Sequence, residues 1–353
     1  MSVIKANGAG AAGGDFYSYK IGQSLRHDNT SAQLSRTPNA DADNLKKFTV
    51  SFWVKRCVLS DYQYMLSSGD GNDETVFRFS SDDTLHFQIR GGLDAILQTT
   101  AVFRDVSAWY HLVIRVDTTQ GSQEDRVRLY VNGGLVDWNT SYQYHLYAEQ
   151  NDEGSWNKNG RTTYIGRRHN TGFPIHMYLA EFHNIDGLSL APTSFGETKD
   201  GVWVPKAYTG GHGTNGFYLP FDDSSAIGDD ESDNTNDMTV ASLSAHDVVP
   251  DSPTNNFAVL NPLYSSTSTS YPIPALSEGN LAASTSDGNN WRTVPTTMYM
   301  STGKWYAEIK VTYTDHADSF IGFASKEFTG QSYAPSETAF GYQLHHSLGI
   351  RHN

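Results

Sequence analysis

The sequence predicts an all-β protein built around an antiparallel sandwich, and three observations support this prediction. Between residues 47 and 166, apolar side chains recur at every second position, as in Phe48, Val50 and Phe52, which is the period of a strand with one face on a core. The pair Asn132-Gly133 follows one such strand and indicates a hairpin, because both turn residues adopt positive φ. No convincing amphipathic helix separates the strand patterns, and successive strands without helices are typical of a sandwich.

The predicted strands follow one another along the chain with polar turns between them. They cover residues 47–56, 62–67, 75–79, 85–89, 95–99, 109–116, 126–131, 163–166 and 178–182, and two or three more are expected within 15–38. Side chains two positions apart on a strand face the same side of the sheet. We therefore expect a core that contains Phe52, Val54, Leu112, Ile114, Leu129 and Val131.

Composition limits the number of domains and the classes of partner. A chain of 353 residues predicts about two domains. The 25 Lys and Arg against 39 Asp and Glu give a net charge of −14, which argues against a nucleic-acid partner, because phosphate binding needs clustered basic residues. No apolar run approaches the length of a transmembrane helix, so we expect no membrane insertion. The single cysteine, Cys57, excludes an intrachain disulfide.

The first 14 residues are rich in Gly and Ala and are predicted to form a flexible arm. Two interpretations remain open: a disordered terminus, or an arm that reaches a neighbouring subunit, since small residues allow close backbone approach. No apolar segment follows Lys5, so the start does not resemble a signal peptide. We expect synthesis and assembly in a cytoplasm; if the protein works outside cells, we expect it to leave as part of a particle.

The first domain is predicted to span residues 15–221 and to contain a long aromatic loop at 137–160. Loops of this length are usually functional or disordered. Three roles are open for its aromatic rings: stacking on the C–H faces of sugars, a protein–protein interface, or a local mini-core folded over the sandwich. The candidate glycan- or partner-binding residues are Trp138, Tyr142, Tyr144, Tyr147 and Trp156.

Residues 222–262 are predicted to be an acidic inter-domain linker, because 222–237 contains almost no apolar side chains. Carboxylates at alternate positions also suggest a calcium loop, in which oxygen ligands have this spacing. The candidate calcium ligands are Asp229, Glu231, Asp233 and Asp237. The loop lacks the bidentate Glu at its twelfth position, where Val240 stands. A solvated linker and a calcium site are both open; calcium is the only cofactor considered.

The order of these segments resembles that of laminin-G/concanavalin A-like jelly-roll proteins. The resemblance rests on the strands at 48–56, 109–117 and 126–133, the Tyr-Ile-Gly at 164–166 and the strand at 178–187. Within that group, the chain resembles virion proteins of bacteriophages, especially marine ones, on motifs at residues 21–26, 34–38, 201–206, 213–219, 227–237 and 251–257. The resemblance covers roughly residues 1–263 and implies a jelly-roll sandwich.

Residues 263–353 are predicted to form a second β domain. Strand patterns at 304–311 and 320–324, followed by Phe340-Gly341-Tyr342, resemble the first half of a SPRY domain. The resemblance implies a second sandwich that is incomplete at Asn353. Either the protein is longer, or this unit takes strands from elsewhere.

Sequence motifs for catalysis are not found. No H-E-x-x-H, G-x-S-x-G or phosphate-binding loop occurs, and no Glu-x-Asp-x-x-Glu strand like that of glucanases of this fold. We name no catalytic residue and expect a non-enzymatic protein. The resemblance implies a virion surface protein, a tail fibre or appendage or a capsid decoration, with lectin-like binding to a host-surface glycan. Expected partners are other virion proteins and copies of itself, as a trimer; a soluble lectin and a glycan-cleaving enzyme are the alternatives.

Overall fold

A computed structural model describes residues 3–7, 16–28, 31–70, 73–91, 94–143, 145–169, 171–264, 273–284, 292–300, 302, 304–310, 320–323, 342–345 and 349–352. Over these residues the structure is all-β, as predicted, with one short helix at Gln123–Arg126 and 3₁₀ turns at Pro192–Ser194 and Ala245–Asp247. The chain divides into two compact units. One comprises Gly10–Asn256, and the other comprises Met1–Ala9 with Phe257–Asn353.

The strands are, in chain order, β1 (Val3–Asn7), β2 (Ser24–His27), β3 (Gln33–Arg36), β4 (Lys47–Arg56), β5 (Gln63–Asp70), β6 (Asp73–Phe79), β7 (Thr84–Ile89), β8 (Ala95–Val102), β9 (Trp109–Asp117), β10 (Val127–Val131), β11 (Gly134–Leu135), β12 (Thr163–Ile165), β13 (Arg167–Arg168), β14 (Thr171–Pro174), β15 (Met177–Asp186), β16 (Gly196–Lys199), β17 (Val202–Pro205), β18 (Phe217–Leu219), β19 (Thr239–Ala241), β20 (Val248–Val249), β21 (Ala275–Ser277), β22 (Ala282–Ser284), β23 (Lys304–Glu308), β24 (Phe320–Gly322), β25 (Tyr342–His345) and β26 (Gly349–His352).

Two antiparallel sheets form the sandwich of the first unit. One sheet has the order β11-β10-β9-β4-β15-β2-β20, with β18 also paired to β15, and the other has the order β19-β3-β12-β5-β6-β7-β8. Neighbours in space are often distant in sequence, as expected for a jelly roll. The turn after β10 has the predicted geometry, since Asn132 and Gly133 have φ of 48° and 78°. A Cβ on Gly133 would lie 2.4 Å from the Trp203 ring, which gives a second reason for glycine there.

The core lies between the two sheets and confirms the predicted apolar positions. Phe52 stacks on Phe182 with ring centroids 4.9 Å apart, and Phe77 of the facing sheet meets Phe52 edge-on at 6.1 Å. Of the six predicted core residues, five are fully buried, and Val131 is partly buried against the same cluster.

Strand β4 is buried on both faces, although its alternating pattern predicted a strand with only one face buried. A third layer, formed by residues 188–216, covers the outer face of its sheet. Trp203 of this layer donates from Nε1 to Nδ1 of His111 at 3.0 Å, and His111 stacks on Trp53 of β4 at 4.7 Å. The polar face of β4 therefore packs against aromatic rings of a segment that is distant in sequence.

Residues 222–256 belong to the first unit, so the linker predicted at 222–262 is corrected. The segment supplies β19 and β20, one strand to each sheet, and it buries Ile227 and Met238 in the core. The sequence pattern missed this because few apolar residues anchor the segment; its polar side chains satisfy buried hydrogen bonds instead.

The end of this segment closes the sandwich beside β2. Lys55, fully buried, donates from Nζ to Oδ2 of Asp251 at 2.8 Å, and the indole Nε1 of Trp109 donates to Oδ1 of the same carboxylate at 3.1 Å. Ser252 donates from Oγ to the carbonyl of Ile21 at 2.6 Å. Two of the bacteriophage-like motifs, at residues 21–26 and 251–257, are thus in direct contact.

The second unit contains β1 paired antiparallel to β23, the pair β21–β22 and the three-stranded sheet β24-β25-β26. Val3–Asn7 is a strand, so the prediction of an arm over residues 1–14 is wrong for these five residues: they pair with Lys304–Glu308. The predicted strands at 304–311 and 320–324 are present in shorter form, as β23 and β24. Phe340 and Gly341 lie outside the described residues.

Candidate functional site

A polar cleft of about 530 Å³ lies where the end of β3 meets the start of β19. The two strands pair there, with Thr239 opposite Ser35. Polar side chains line the cleft throughout, and they come from two segments: Arg36, Thr37 and Asn39 from the first, and Asn234, Thr235, Asn236, Asp237 and Thr239 from the second. Ligand pockets of this volume are usually mainly apolar. The lining of this cleft is polar instead, and its side chains can form hydrogen bonds with a hydroxyl-rich ligand.

Buried hydrogen bonds hold the second segment in place. Asp230 is 8% exposed; it accepts the backbone N–H of Asn236 at 2.7 Å and that of Tyr218 at 2.8 Å. The amide of Asn236 donates to the carbonyl of Gly216 at 2.7 Å, and its oxygen accepts a hydrogen bond from Arg36. The floor of the cleft is therefore pre-organised, because each of these groups is already fixed by a partner.

The rim of the cleft carries side chains that are not used by the fold. Asn39, Thr235 and Thr239 are exposed, and none of the three makes a side-chain hydrogen bond to another described residue. Thr235 has a φ of 55°, a left-handed conformation that costs of order 1–3 kcal/mol for a β-branched residue. Backbone strain of this kind clusters at ligand sites.

Among the described residues that line the cleft, Arg36 is the one cation, and it lies near carboxylates. Partial burial lowers the pKa of Arg36, and the charges of Asp230 and Asp237 oppose that shift; the guanidinium stays protonated at neutral pH. Asp237 is exposed and accepts the backbone N–H of Asp230 at its Oδ1 at 3.0 Å. The cleft therefore offers charged donors and charged acceptors side by side, which make the stronger kinds of hydrogen bond.

The predicted calcium ligands do not converge. Asp229, Glu231, Asp233 and Asp237 are all exposed, and within the described ranges no three His, Cys, Asp or Glu side chains form a group that could hold a metal ion. The carboxylate that organises this loop is Asp230, which the alternate-position pattern passed over. Its oxygens accept loop N–H groups, so the loop turns around it and leaves the neighbouring carboxylates in solvent.

The described members of the predicted aromatic set are buried to different degrees. Trp156 is 1% exposed and donates to Asn184 at 2.8 Å, so it belongs to the core and cannot stack on a sugar. Trp138 and Tyr147 are partly buried against the same core. Tyr142 meets His86 edge-on at 6.2 Å, and Tyr144 lies outside the described residues. The mini-core interpretation therefore fits Trp138, Tyr147 and Trp156.

The loop also covers an exposed sheet edge. Ile96 and Leu146 exchange two backbone hydrogen bonds of 2.9 Å, and Asn139 donates to the carbonyl of Gln98 at 2.7 Å. Strand β8 is the last strand of its sheet, and an uncovered edge strand is a site of aggregation. The same loop thus buries its aromatic rings and covers the edge of β8, and both are structural roles.

A second polar cluster surrounds Glu181, which has a φ of 51° at a register shift in β15. This bulge separates the part of β15 that pairs with β2 from the part that pairs with β18. The Glu181 carboxylate accepts from the Tyr19 hydroxyl at 3.0 Å and from the Tyr218 hydroxyl at 2.9 Å. His183 stacks on the Tyr218 ring with centroids 4.2 Å apart.

The electrostatics of this cluster favour neutral phenols around one satisfied carboxylate. Burial and the Glu181 charge raise the pKa of Tyr19 to about 12, and the same two causes raise the pKa of Tyr218. Burial lowers the pKa of His212, whose Nε2 lies 3.2 Å from Nδ1 of His183, to about 4. Both oxygens of Glu181 thus accept hydrogen bonds within the fold.

Of the cleft residues, only Asp237 was identified from the sequence, and as a calcium ligand. A signal for some of the others was present in the motifs, which do not include Asn39 and Thr239. Arg36 and Thr37 lie in the bacteriophage-like motif at 34–38, and Asn234, Asn236 and Asp237 lie in the motif at 227–237. Only the structure brings the two segments together at one cleft.

Comparison with known proteins agrees with this fold. Residues 28–183 match the Laminin_G_3 family model, described as concanavalin A-like lectin/glucanases superfamily. The match includes Arg36, Thr37 and Asn39 and ends before the second cleft segment. No curated protein matches the chain. This match and the two antiparallel sheets agree on a laminin-G/concanavalin A-like jelly-roll fold.

Among solved structures, three similar ones are a heptameric SAP-like pentraxin from Limulus polyphemus (16% identity, 49% of this chain and 80% of that chain, TM-score 0.36), a candidate carbohydrate-binding protein from Bacteroides ovatus (17% identity, 64% and 61%, TM-score 0.42) and domains LG4-5 of the mouse laminin α1 chain (16% identity, 56% and 48%, TM-score 0.33). At these identities and TM-scores, the similarity does not define a ligand.

Proposed function

We propose that this protein is a glycan-binding structural protein without catalytic activity, exposed on a bacteriophage particle. The observation that carries the glycan part is the polar cleft. Its rim presents hydroxyl and amide groups that no described residue hydrogen-bonds, above a floor that is already fixed. Sugars present adjacent hydroxyls that donate and accept, and Thr hydroxyls and Asn amides also do both.

The cleft is open and polar, so we expect weak binding at a single site, with a Kd of about 1 mM, equivalent to roughly −4 kcal/mol. Linked copies would raise the avidity by about 10²–10⁴ without any new contact. We therefore propose a closed oligomer, a trimer, as the working form. Light scattering on the purified chain tests this: a monomer at micromolar concentration contradicts it.

A glycan array tests the binding function. The wild-type protein, displayed multivalently, should bind a subset of the glycans, and Thr235→Gly should remove this binding. The glycine variant tolerates the φ of 55°, so it should be at least as stable as wild type. Thr239→Ala should also weaken binding, because Thr239 lines the cleft.

Thr100→Ala is the matched control. Thr100 is an exposed threonine in β8, at the opposite edge of the sheet that ends with β19, so this variant should bind like wild type. Equal binding by all three variants, or no glycan bound by wild type, contradicts the proposed cleft.

The location on the particle is proposed from the bacteriophage-like motifs, two pairs of which are in contact in the fold: 21–26 with 251–257, and 34–38 with 227–237. The same resemblance supports other virion proteins as partners. The proposal of a SPRY-like second unit is supported by strands β23 and β24, which lie within the strand patterns on which that resemblance rests. No helix in the described part of the chain is long and apolar enough to cross a membrane. Labelled antibody and electron microscopy of the particles test the surface location; unlabelled particles contradict it.

A further inference from the structure

We propose that the polar cleft selects uncharged glycans and discriminates against sugars that carry a carboxylate. This inference rests on the proposed glycan-binding function and specifies its ligand class. The proposed selectivity follows from the charged groups in and around the cleft. The neutral hydroxyl and amide groups of the rim would not by themselves distinguish charged from uncharged sugars.

Arg36, the single cation among the described lining residues, already has partners. Arg36 donates to the side-chain oxygen of Asn236, and both Asp230 and Asp237 act on its charge. One guanidinium therefore faces two carboxylates, of which the exposed Asp237 lines the cleft itself. A sugar carboxylate that approached Arg36 would also approach Asp237, and two like charges disfavour each other at short range.

The surrounding loop adds to this field. Asp229, Glu231 and Asp233 precede Asp237 within eight residues and are exposed, and the whole chain carries a net charge of −14. Clustered charges of one sign change the local concentration of a charged ligand, and the effect falls with ionic strength. An anionic glycan is therefore repelled both on approach and within the cleft.

An uncharged sugar meets the same groups favourably. Its hydroxyls can donate to the Asp237 carboxylate and accept from Arg36, and such charge-assisted hydrogen bonds are stronger than neutral ones. The rim threonines and Asn39 then supply neutral donors and acceptors. The carboxylate that excludes a uronic acid thus serves as an acceptor for a neutral sugar.

The experiment compares immobilised neutral polysaccharides (dextran, mannan and galactan) with polyuronates (alginate and polygalacturonate), using the full chain at low and high salt. At low salt we expect wild type to bind at least one neutral polymer at least tenfold more tightly than either polyuronate, which corresponds to about 1.4 kcal/mol. The ratio should shrink at high salt, because salt screens exposed charges.

The variant Asp237→Asn should lower the ratio of neutral to uronate binding several-fold, since it removes the cleft carboxylate and keeps the side-chain shape. Asp94→Asn is the matched control: Asp94 is an exposed aspartate that immediately precedes β8, and the substitution changes the net charge equally. It should leave the ratio near the wild-type value.

Preferential binding of alginate or polygalacturonate overturns the selectivity while the glycan-binding function stands. An unchanged ratio in Asp237→Asn overturns the role of this carboxylate. Binding of neither polymer class by wild type overturns the proposed function itself.

Discussion

Acid should destabilise the first unit through His27, a fully buried histidine of β2. Its imidazole lies against the backbone of Gly166, where a Cβ would come within 2.0 Å of Nε2. Burial and, to a smaller extent, the charge of the nearby His176 lower the pKa of His27 from 6.5 to about 4. The folded state thus holds a neutral ring that the unfolded chain protonates below pH 6.5, so stability is lost as the pH falls from 6.5 to about 4.

The magnitude follows from the size of this shift. One pKa unit is worth about 1.4 kcal/mol, so His27 alone should remove about 3 kcal/mol of unfolding free energy across this interval. Urea unfolding, followed by tryptophan fluorescence at steps between pH 7 and pH 4, measures the loss. In His27→Leu the loss of unfolding free energy between pH 7 and pH 4 should be smaller by about 3 kcal/mol, because leucine does not titrate. Any change in packing shifts the stability equally at every pH and does not alter the pH slope.

His246→Leu is the control, since it makes the same replacement at an exposed histidine. Parallel pH profiles for wild type and His27→Leu would refute the reasoning, whatever the absolute stabilities are.

Three further outcomes are expected. Asp251→Ala should destabilise the protein by about 3–5 kcal/mol in urea unfolding, because it leaves Lys55 buried without its carboxylate, whereas Lys55→Met with Asp251→Leu should cost less; an equal loss in both contradicts this. Tyr19→Phe should cost about 1.5 kcal/mol through the hydrogen bond to Glu181, and Tyr17→Phe almost nothing. A chelator should leave the melting temperature unchanged, since the acidic loop is held by its own hydrogen bonds; a calcium-dependent rise would restore the calcium hypothesis.

The strands and the core of the sandwich could be predicted from the sequence because their signals are local. Period-2 alternation marked β4 and β9, and the Asn132-Gly133 turn marked the hairpin after β10. The third layer could not be predicted in this way. Its contacts, such as Trp203 on His111, join segments about 90 residues apart, and a pattern within one strand does not report what covers its outer face.

The site was harder to predict for a related reason. Aromatic density pointed to Trp156 and its neighbours, but the same rings that suit a sugar also suit a core, and burial decided between the two. Asp230 and the exposed carboxylates near it have the same chemistry in the sequence; only their hydrogen bonds separate a structural carboxylate from a solvent-exposed one. The cleft needed β3 and β19 to be paired, a contact between segments about 200 residues apart.

Hydrogen–deuterium exchange with and without a bound neutral oligosaccharide tests the central claim most directly, that the polar cleft is the glycan site. The account predicts slower amide exchange at residues 36–39 and 234–239, with no change in the aromatic loop at 137–147. Protection of the aromatic loop, with unchanged exchange at both cleft segments, would contradict it.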